Sequence, residues 1–172
     1  IQLFGNEIIF SLWDVGAQEY FRRFRRTYYN GSKAAFIVFS LTDEKSFKNV
    51  KTWFDELMDF LPTKDIPIII VGNKMDLEDQ RVVSYQEGVK LAGSLGMKRI
   101  SYIETSALTG ANVEDAFSLI AFNYIQKIRE NEEIRLQEEL LKELDLILEK
   151  KKPLILVFIT ESAFWSPGLQ IM

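Results

Sequence analysis

Apolar residues in this chain follow two patterns. Two short, almost unbroken runs, AAFIVF at residues 34–39 and IPIIIV at 66–71, read as strands covered on both faces. Between them Phe47, Val50, Trp53, Phe54 and Leu57 recur at helical spacing. A helix is therefore predicted from a cap at Thr42 or Asp43 through Leu61, with Pro62 and Pro67 framing its exit. Ser84 opens a second helix to about Leu95, where Gly96 is placed to end it. Residues 101–104 form a short strand, and a long helical pattern runs from Asn112 to about Lys152. At the start, Phe4-Gly5-Asn6-Glu7 lies between two apolar runs as a hairpin turn, and the strand after it, IIFSLW at 8–13, stops at Asp14. A polar, basic and aromatic stretch follows to Asn30, with arginines at 22, 23, 25 and 26.

Strands alternating with helices of this length mean βαβ units: a mostly parallel sheet with helices on both sides, to which the opening hairpin adds an antiparallel edge. Ligands of such sheets bind beyond the carboxyl ends of the strands. Three polar clusters, around Asp14, Asn73 and Ser106, all fall at strand C-termini, which points to one shared site.

Composition narrows the chemistry. Of 172 residues, 47% are hydrophobic and 27% charged, too apolar for disorder and ordinary for a globular domain. The net charge of −4 and pI near 5.1 imply no general attraction to nucleic acid. With no cysteine, the chain has no disulfides, thiolate metal sites or cysteine-linked lipid anchor; with no histidine, it has no His-based catalysis or His-ligated metal. No apolar run approaches the roughly 20 residues that span a bilayer, and no signal peptide is visible, so a cytoplasmic setting is expected. The start at Ile1 rather than Met suggests a fragment.

Asn73-Lys74-Met75-Asp76 directly follows a buried-type strand and Gly72. A carboxylate accepts two parallel hydrogen bonds, and guanine offers N1–H and its exocyclic amine side by side, which adenine does not. A buried carboxylate at this position rejects adenine, which would leave it unpaired. The lysine stem can lie along a base face, and the asparagine can tie loops together. The bland alternative is a polar loop with a charged helix cap. Glu104-Thr105-Ser106-Ala107 follows the next strand. There a small residue lets a backbone N–H approach a carbonyl, and Ser106 can brace a nearby carboxylate; alone it could be a helix-entry loop. In Trp13-Asp14-Val15-Gly16-Ala17-Gln18-Glu19, an Asp at a strand end can hold hydrated Mg²⁺ through water and a glutamine can orient an attacking water. The alternative is a solvated turn.

Together these segments resemble the Ras-like small GTPases. The match carries Trp13-Asp14-x-x-x-Gln18-Glu19, Tyr28-Tyr29 before an apolar strand, Asn73-Lys74-x-Asp76 and Glu104-Thr105-Ser106-Ala107 in family order. The text from Asp43 to Phe54 and Thr109-Gly110-Ala111-Asn112-Val113 look most like the Rab branch. The resemblance covers residues 1–130, from the family's second strand through its last helix, and implies a P-loop NTPase-like three-layer α/β fold without its first strand. It implies GTP and GDP binding, Mg²⁺-dependent GTP hydrolysis, and a molecular switch in signalling or vesicle traffic that recruits effectors and regulators. Asp76 would pair with guanine N1 and N2, Asn73 would face N7 and the phosphate loop, and Lys74 would pack along base and ribose. Ser106 and Ala107 would complete the pocket, with the Ala107 N–H near O6. Asp14 would hold Mg²⁺ through water, Ala17 would stand where the family senses the γ-phosphate, and Gln18 would position the hydrolytic water.

Two departures qualify this. The family's Ala-Gly before the glutamine is Gly16-Ala17 here, which also resembles the Gly-Gly of the Arf branch; it takes backbone freedom from the sensing position. No G-x-x-x-x-G-K-[ST] occurs in the chain; the phosphate loop and switch I would precede Ile1. The chain as given is therefore expected to bind GTP weakly or not at all. The rival expectation is a degenerate GTPase-like interaction module without turnover. Residues 131–152 extend the last helix with Ile134, Leu136, Leu140, Leu141, Leu144, Ile147 and Leu148 in one stripe, equally consistent with a solvated helix packed on its own domain or one that pairs with a partner. Residues 153–172 are an apolar tail, read as the start of a further domain or as a filler for the missing first strand.

Overall fold

The computed structural model describes residues 2–3, 6–14, 27 and 29–149. Ala17, Gln18, Tyr28, the four arginines at 22–26 and the tail at 153–172 lie outside them.

Strand β1 (Gln2–Leu3) pairs antiparallel with β2 (Asn6–Glu7). Strand β3 (Ala35–Ser40) leads to helix α1 (Glu44–Phe60) and strand β4 (Ile68–Asn73). A 3₁₀ turn (Glu78–Gln80), helix α2 (Tyr85–Ser94), strand β5 (Ile100–Thr105) and helix α3 (Val113–Glu149) follow. The three longer strands form a parallel sheet in the order β3-β4-β5.

The central strand explains the layers. Ile68, Ile69 and Ile70 are all fully buried, which an unbroken apolar run allows and an alternating one would not. Ile68 and Ile70 join Ile37, Phe39, Val50, Phe54, Leu57 and Ala92, which puts α1 and α2 on one face. Ile69 and Val71 join Ile120 of α3 on the other. Each isoleucine so buried contributes about 1.5–3 kcal/mol.

The helix ends are fixed locally. The Asp43 carboxylate accepts the N–H groups of Lys45 and Ser46 at 2.9 and 3.3 Å and caps α1. Ser84 and Glu87 close a reciprocal capping box on α2. Gly96 takes φ +69° just beyond α2, where a side chain would be strained. Arg99 bridges Asp65 and Glu130 at 2.5 and 2.6 Å, and Lys98 reaches Glu130 at 2.6 Å, tying α3 at Glu130 to the start of β5.

Three expectations are corrected. The second hairpin strand ends at Glu7, and residues 8–14 form no strand; Ile9, Leu12 and Trp13 are exposed. The hairpin is a separate two-stranded sheet, not an edge of the parallel one, because β3 has no ladder partner but β4 among the described residues. Phe10 of that stretch reaches the core side, edge-on to Phe117 at 5.3 Å. And the second face of β3 is covered only in part: Ile37 and Phe39 are buried toward α1 and Phe36 packs edge-on to Phe117 of α3 at 5.2 Å, but Val38 on that same second face is 58% exposed.

By chain contacts the molecule divides into two units, Ile1–Glu132 and Glu133–Met172. No helix among the described residues is long and apolar enough to cross a membrane.

Candidate functional site

The site is built by register. Ser40, Asn73 and Thr105 are direct ladder partners, so β3, β4 and β5 end level and the loops after β4 and β5 leave side by side. The backbone then laces the two loops, with the Met75 N–H donating to the Thr105 carbonyl at 3.0 Å.

Side chains complete the lacing. Asn73 Oδ1 accepts the Ala107 N–H at 3.0 Å and the Thr105 hydroxyl at 3.3 Å. Its amide N–H₂ then faces away from both, and no described group takes it. The hydroxyl of Ser106, fully buried, donates to Asp76 Oδ1 at 2.5 Å and accepts the Thr109 N–H at 3.1 Å. Among the described residues nothing takes Asp76 Oδ2 or the second lone pair on Oδ1. Lys74, between Asn73 and Asp76, holds φ +70°, a left-handed backbone that costs a non-glycine residue about 1–2 kcal/mol. The Leu77 N–H to the Lys74 carbonyl, at 3.1 Å, holds the turn in place.

The structure thus brings Asn73, Lys74, Asp76, Ser106 and Ala107 together. It differs from expectation in two details. Asp76 is exposed rather than buried, because it stands on the rim of the loops with only Ser106 behind it. The Ala107 N–H, expected to face a ligand carbonyl, donates to Asn73. A shallow depression of about 400 Å³ runs along residues 75–80 beside Asp76, open enough that a base would be held by its edge rather than enclosed. Asp14 is exposed and makes no hydrogen bond or ion pair among the described residues.

One cluster at the site was not legible as such. Glu104, the last β5 residue but one, accepts both guanidinium nitrogens of Arg81 at 2.8 Å and the Tyr102 hydroxyl at 2.8 Å. Burial alone would raise its carboxyl, but the hydrogen bonds from Arg81 and Tyr102 and the guanidinium charge hold it below the ordinary 4.5. Burial and the same hydrogen bond push the Tyr102 phenol up, so it remains a donor. Arg81 follows the loop that carries Asp76, and Glu104 precedes the one that carries Ser106, so the pair fastens the loops at their roots. Tyr102 fits because Gly72 and Gly88 are glycines: a Cβ at Gly88 would lie 2.1 Å from its ring. Asn112, at φ +57°, donates to the Glu104 carbonyl at 2.9 Å and secures the loop's far end. Leu108, 83% exposed, stands next to Ala107 with its apolar surface in solvent.

This arrangement of loops accompanies a sequence match over most of the chain: the profile of the Ras family fits residues 1–126. The chain belongs to the Ras family. Its similarity is to the Rab and Ypt branch. The GTP-binding protein ypt2 of Schizosaccharomyces pombe is 40% identical over 121 residues, covering 70% of this chain and 58% of that protein. The human Ras-related protein Rab-39A is 39% identical over 128 residues, 74% of this chain and 58% of its own length. The GTP-binding protein YPT1 of Saccharomyces cerevisiae is 40% identical over 121 residues, 70% of this chain and 57% of its own. The chain thus spans a little over half the length of these relatives. The parallel sheet with helices on both faces is consistent with the P-loop NTPase fold of the Ras family.

The donor set fits one part of a guanine nucleotide and not the rest. The loops after β4 and β5 offer acceptors and donors suited to a purine edge. For the phosphates there is no G-x-x-x-x-G-K-[ST] in the 172 residues, and no group of three or more carboxylate, histidine or cysteine side chains among the described residues could hold a metal ion alone.

Proposed function

We propose that this chain carries the guanine-reading half of a Rab-type GTPase that binds GTP and GDP and hydrolyses GTP as a switch in vesicle traffic. The carrying observation is the pre-set pair of readers, Asp76 fixed by Ser106 and Asn73 fixed by Thr105 and Ala107, on loops locked at both ends. Asp76 would accept guanine N1–H and the exocyclic amine on its open lone pairs. The free amide of Asn73 would donate to N7, and the Lys74 stem would cover one base face. Leu108 would shield base or ribose from water. For the Ala107 N–H to reach O6, it would have to swing from Asn73. Family membership supports this reading, as do relatives whose names carry GTP binding.

By the same resemblance Asp14 would hold the waters of Mg²⁺, Ala17 would meet the γ-phosphate, and Gln18 would orient the water that attacks it. Among the described residues Asp14 stands in no group of three or more carboxylate, histidine or cysteine side chains. Effectors and regulators would engage the segment around residues 15–30, at the cytoplasmic side of membranes.

Replacing Asp76→Asn tests the base assignment, since an asparagine presents a donor where xanthine offers a carbonyl. The substitution should weaken guanine nucleotide binding by about 10²–10³-fold and favour xanthine nucleotide, on the scale of a lost charged hydrogen-bond pair. Unchanged guanine preference in a competition assay would remove Asp76 from the site. A second reading, an interaction scaffold without turnover, is favoured by Gly16-Ala17. It predicts normal partner binding with no phosphate release.

A further inference from the structure

We infer that residues 134–146 of α3 form a docking surface for a partner helix whose apolar stripe is bordered by lysine or arginine. The inference is independent of the nucleotide reading, since no residue in it belongs to the base site.

Side chains on this stretch separate by kind with one exception, Leu146, which is 52% exposed on the polar face in line with Arg135. At about 100° per residue, Leu136, Leu140, Leu144, Leu141 and Ile134 fall within an arc of roughly 160°, interrupted only by Gln137. All five are between 49% and 60% exposed, so their apolar surface is solvated among the described residues. Five large apolar side chains on one face of one helix is more than the scattered exposure of an ordinary surface.

The margins of the stripe identify its occupant. Glu143 and Glu139 border it on one side, Asp145 and Glu138 on the other. The two basic residues of the stretch, Arg135 and Lys142, fall in the middle of the polar face, away from both margins. Only Glu139 has an ion-pair partner, Arg135 at 4.0 Å; Glu138, Glu143 and Asp145 have none among the described residues. A second copy of this helix, laid parallel or antiparallel, would set acidic margin against acidic margin, which disfavours it. An anionic lipid surface is repelled in the same way. A helix with leucine or isoleucine on its seam and basic residues beside it would cover the stripe and neutralise both borders.

The test uses the 172-residue chain and two labelled synthetic helices of about three heptads, identical in their Ile/Leu seam and differing only in flanking lysines or flanking glutamates. By fluorescence anisotropy at low salt, the lysine-flanked helix should bind at least about tenfold more tightly, and the gap should close near 1 M salt. Leu140→Gln with Leu144→Gln should abolish binding without loss of helical circular dichroism. A variant carrying Glu138→Lys, Glu143→Lys and Asp145→Lys keeps every leucine and should prefer the glutamate-flanked helix. Equal affinity for the two helices, or no binding of either, would overturn the inference. So would a sedimentation result in which the chain is a dimer that the two leucine substitutions dissociate. Lys150, Lys151 and Lys152 follow in the sequence, so anionic vesicles form a further arm, and vesicle binding lost with those leucines would also overturn it.

Discussion

Lys74 holds a conformation that glycine would adopt more readily, on the turn between Asn73 and Asp76. Strain kept at such a point implies that the side chain is needed there. Lys74→Gly should therefore raise stability by about 1 kcal/mol in urea unfolding while weakening nucleotide binding; a loss of stability would show that the backbone is not strained. Gly88 presents the opposite case. Alanine is the better helix former by about 1 kcal/mol, yet its Cβ would lie 2.1 Å from the Tyr102 ring, a ring held in turn by Glu104. Gly88→Ala should lower stability by about 1–3 kcal/mol, read as a shift in urea midpoint with unchanged slope. Neither residue announced itself in the sequence. A lysine inside a motif carries no mark of its φ, and the need for a glycine at 88 comes from a tyrosine on another element.

Among the elements, the pairing of β4 and β5 does most to make a site, and its root is the Arg81–Glu104 bridge. Glu104 sits below its ordinary value in the folded chain. A carboxylate with a depressed folded value stabilises the fold above the unfolded value of 4.5, and that contribution is lost as pH falls below it toward the folded value. Glu104→Gln should thus show a shallower loss of stability than the parent in that acidic window, followed by urea midpoints at stepped pH. It should also speed amide exchange at Met75 and Ala107, whose N–H groups bridge the two loops. An identical pH profile would mean the bridge carries no net stability. Elements of this kind were well marked by pattern: the runs at 34–39 and 66–71 and the serine and glycine of α2 correspond to β3, β4 and α2 within two residues. The strand expected at 8–13 did not form, because an apolar run gives a segment a tendency to pair but not a neighbour to pair with. For the same reason the pattern of β3 could not reveal that Val38 lies uncovered.

At the scale of the whole molecule, the motifs at Asn73 and Ser106 converge because β4 and β5 end level, a fact that register supplies and motif spacing does not; Asp14 follows no strand among the described residues and is not joined to them. The loops at 73–76 and 105–109 are built and braced, while the 172 residues hold no G-x-x-x-x-G-K-[ST]. GTP affinity of the 172-residue chain should accordingly be far weaker than submicromolar by isothermal titration, and tight binding would show that other residues of the chain hold the phosphates. The base pocket itself needs no triphosphate to be tested. Titrating the ¹⁵N-labelled chain with millimolar GMP, and separately with AMP, addresses it most directly. Recognition by Asp76 and Asn73 predicts that GMP shifts the amide signals of residues 73–77 and 106–109 and that AMP leaves them in place. Equal shifts with the two nucleotides, or shifts confined to other parts of the chain, would contradict it.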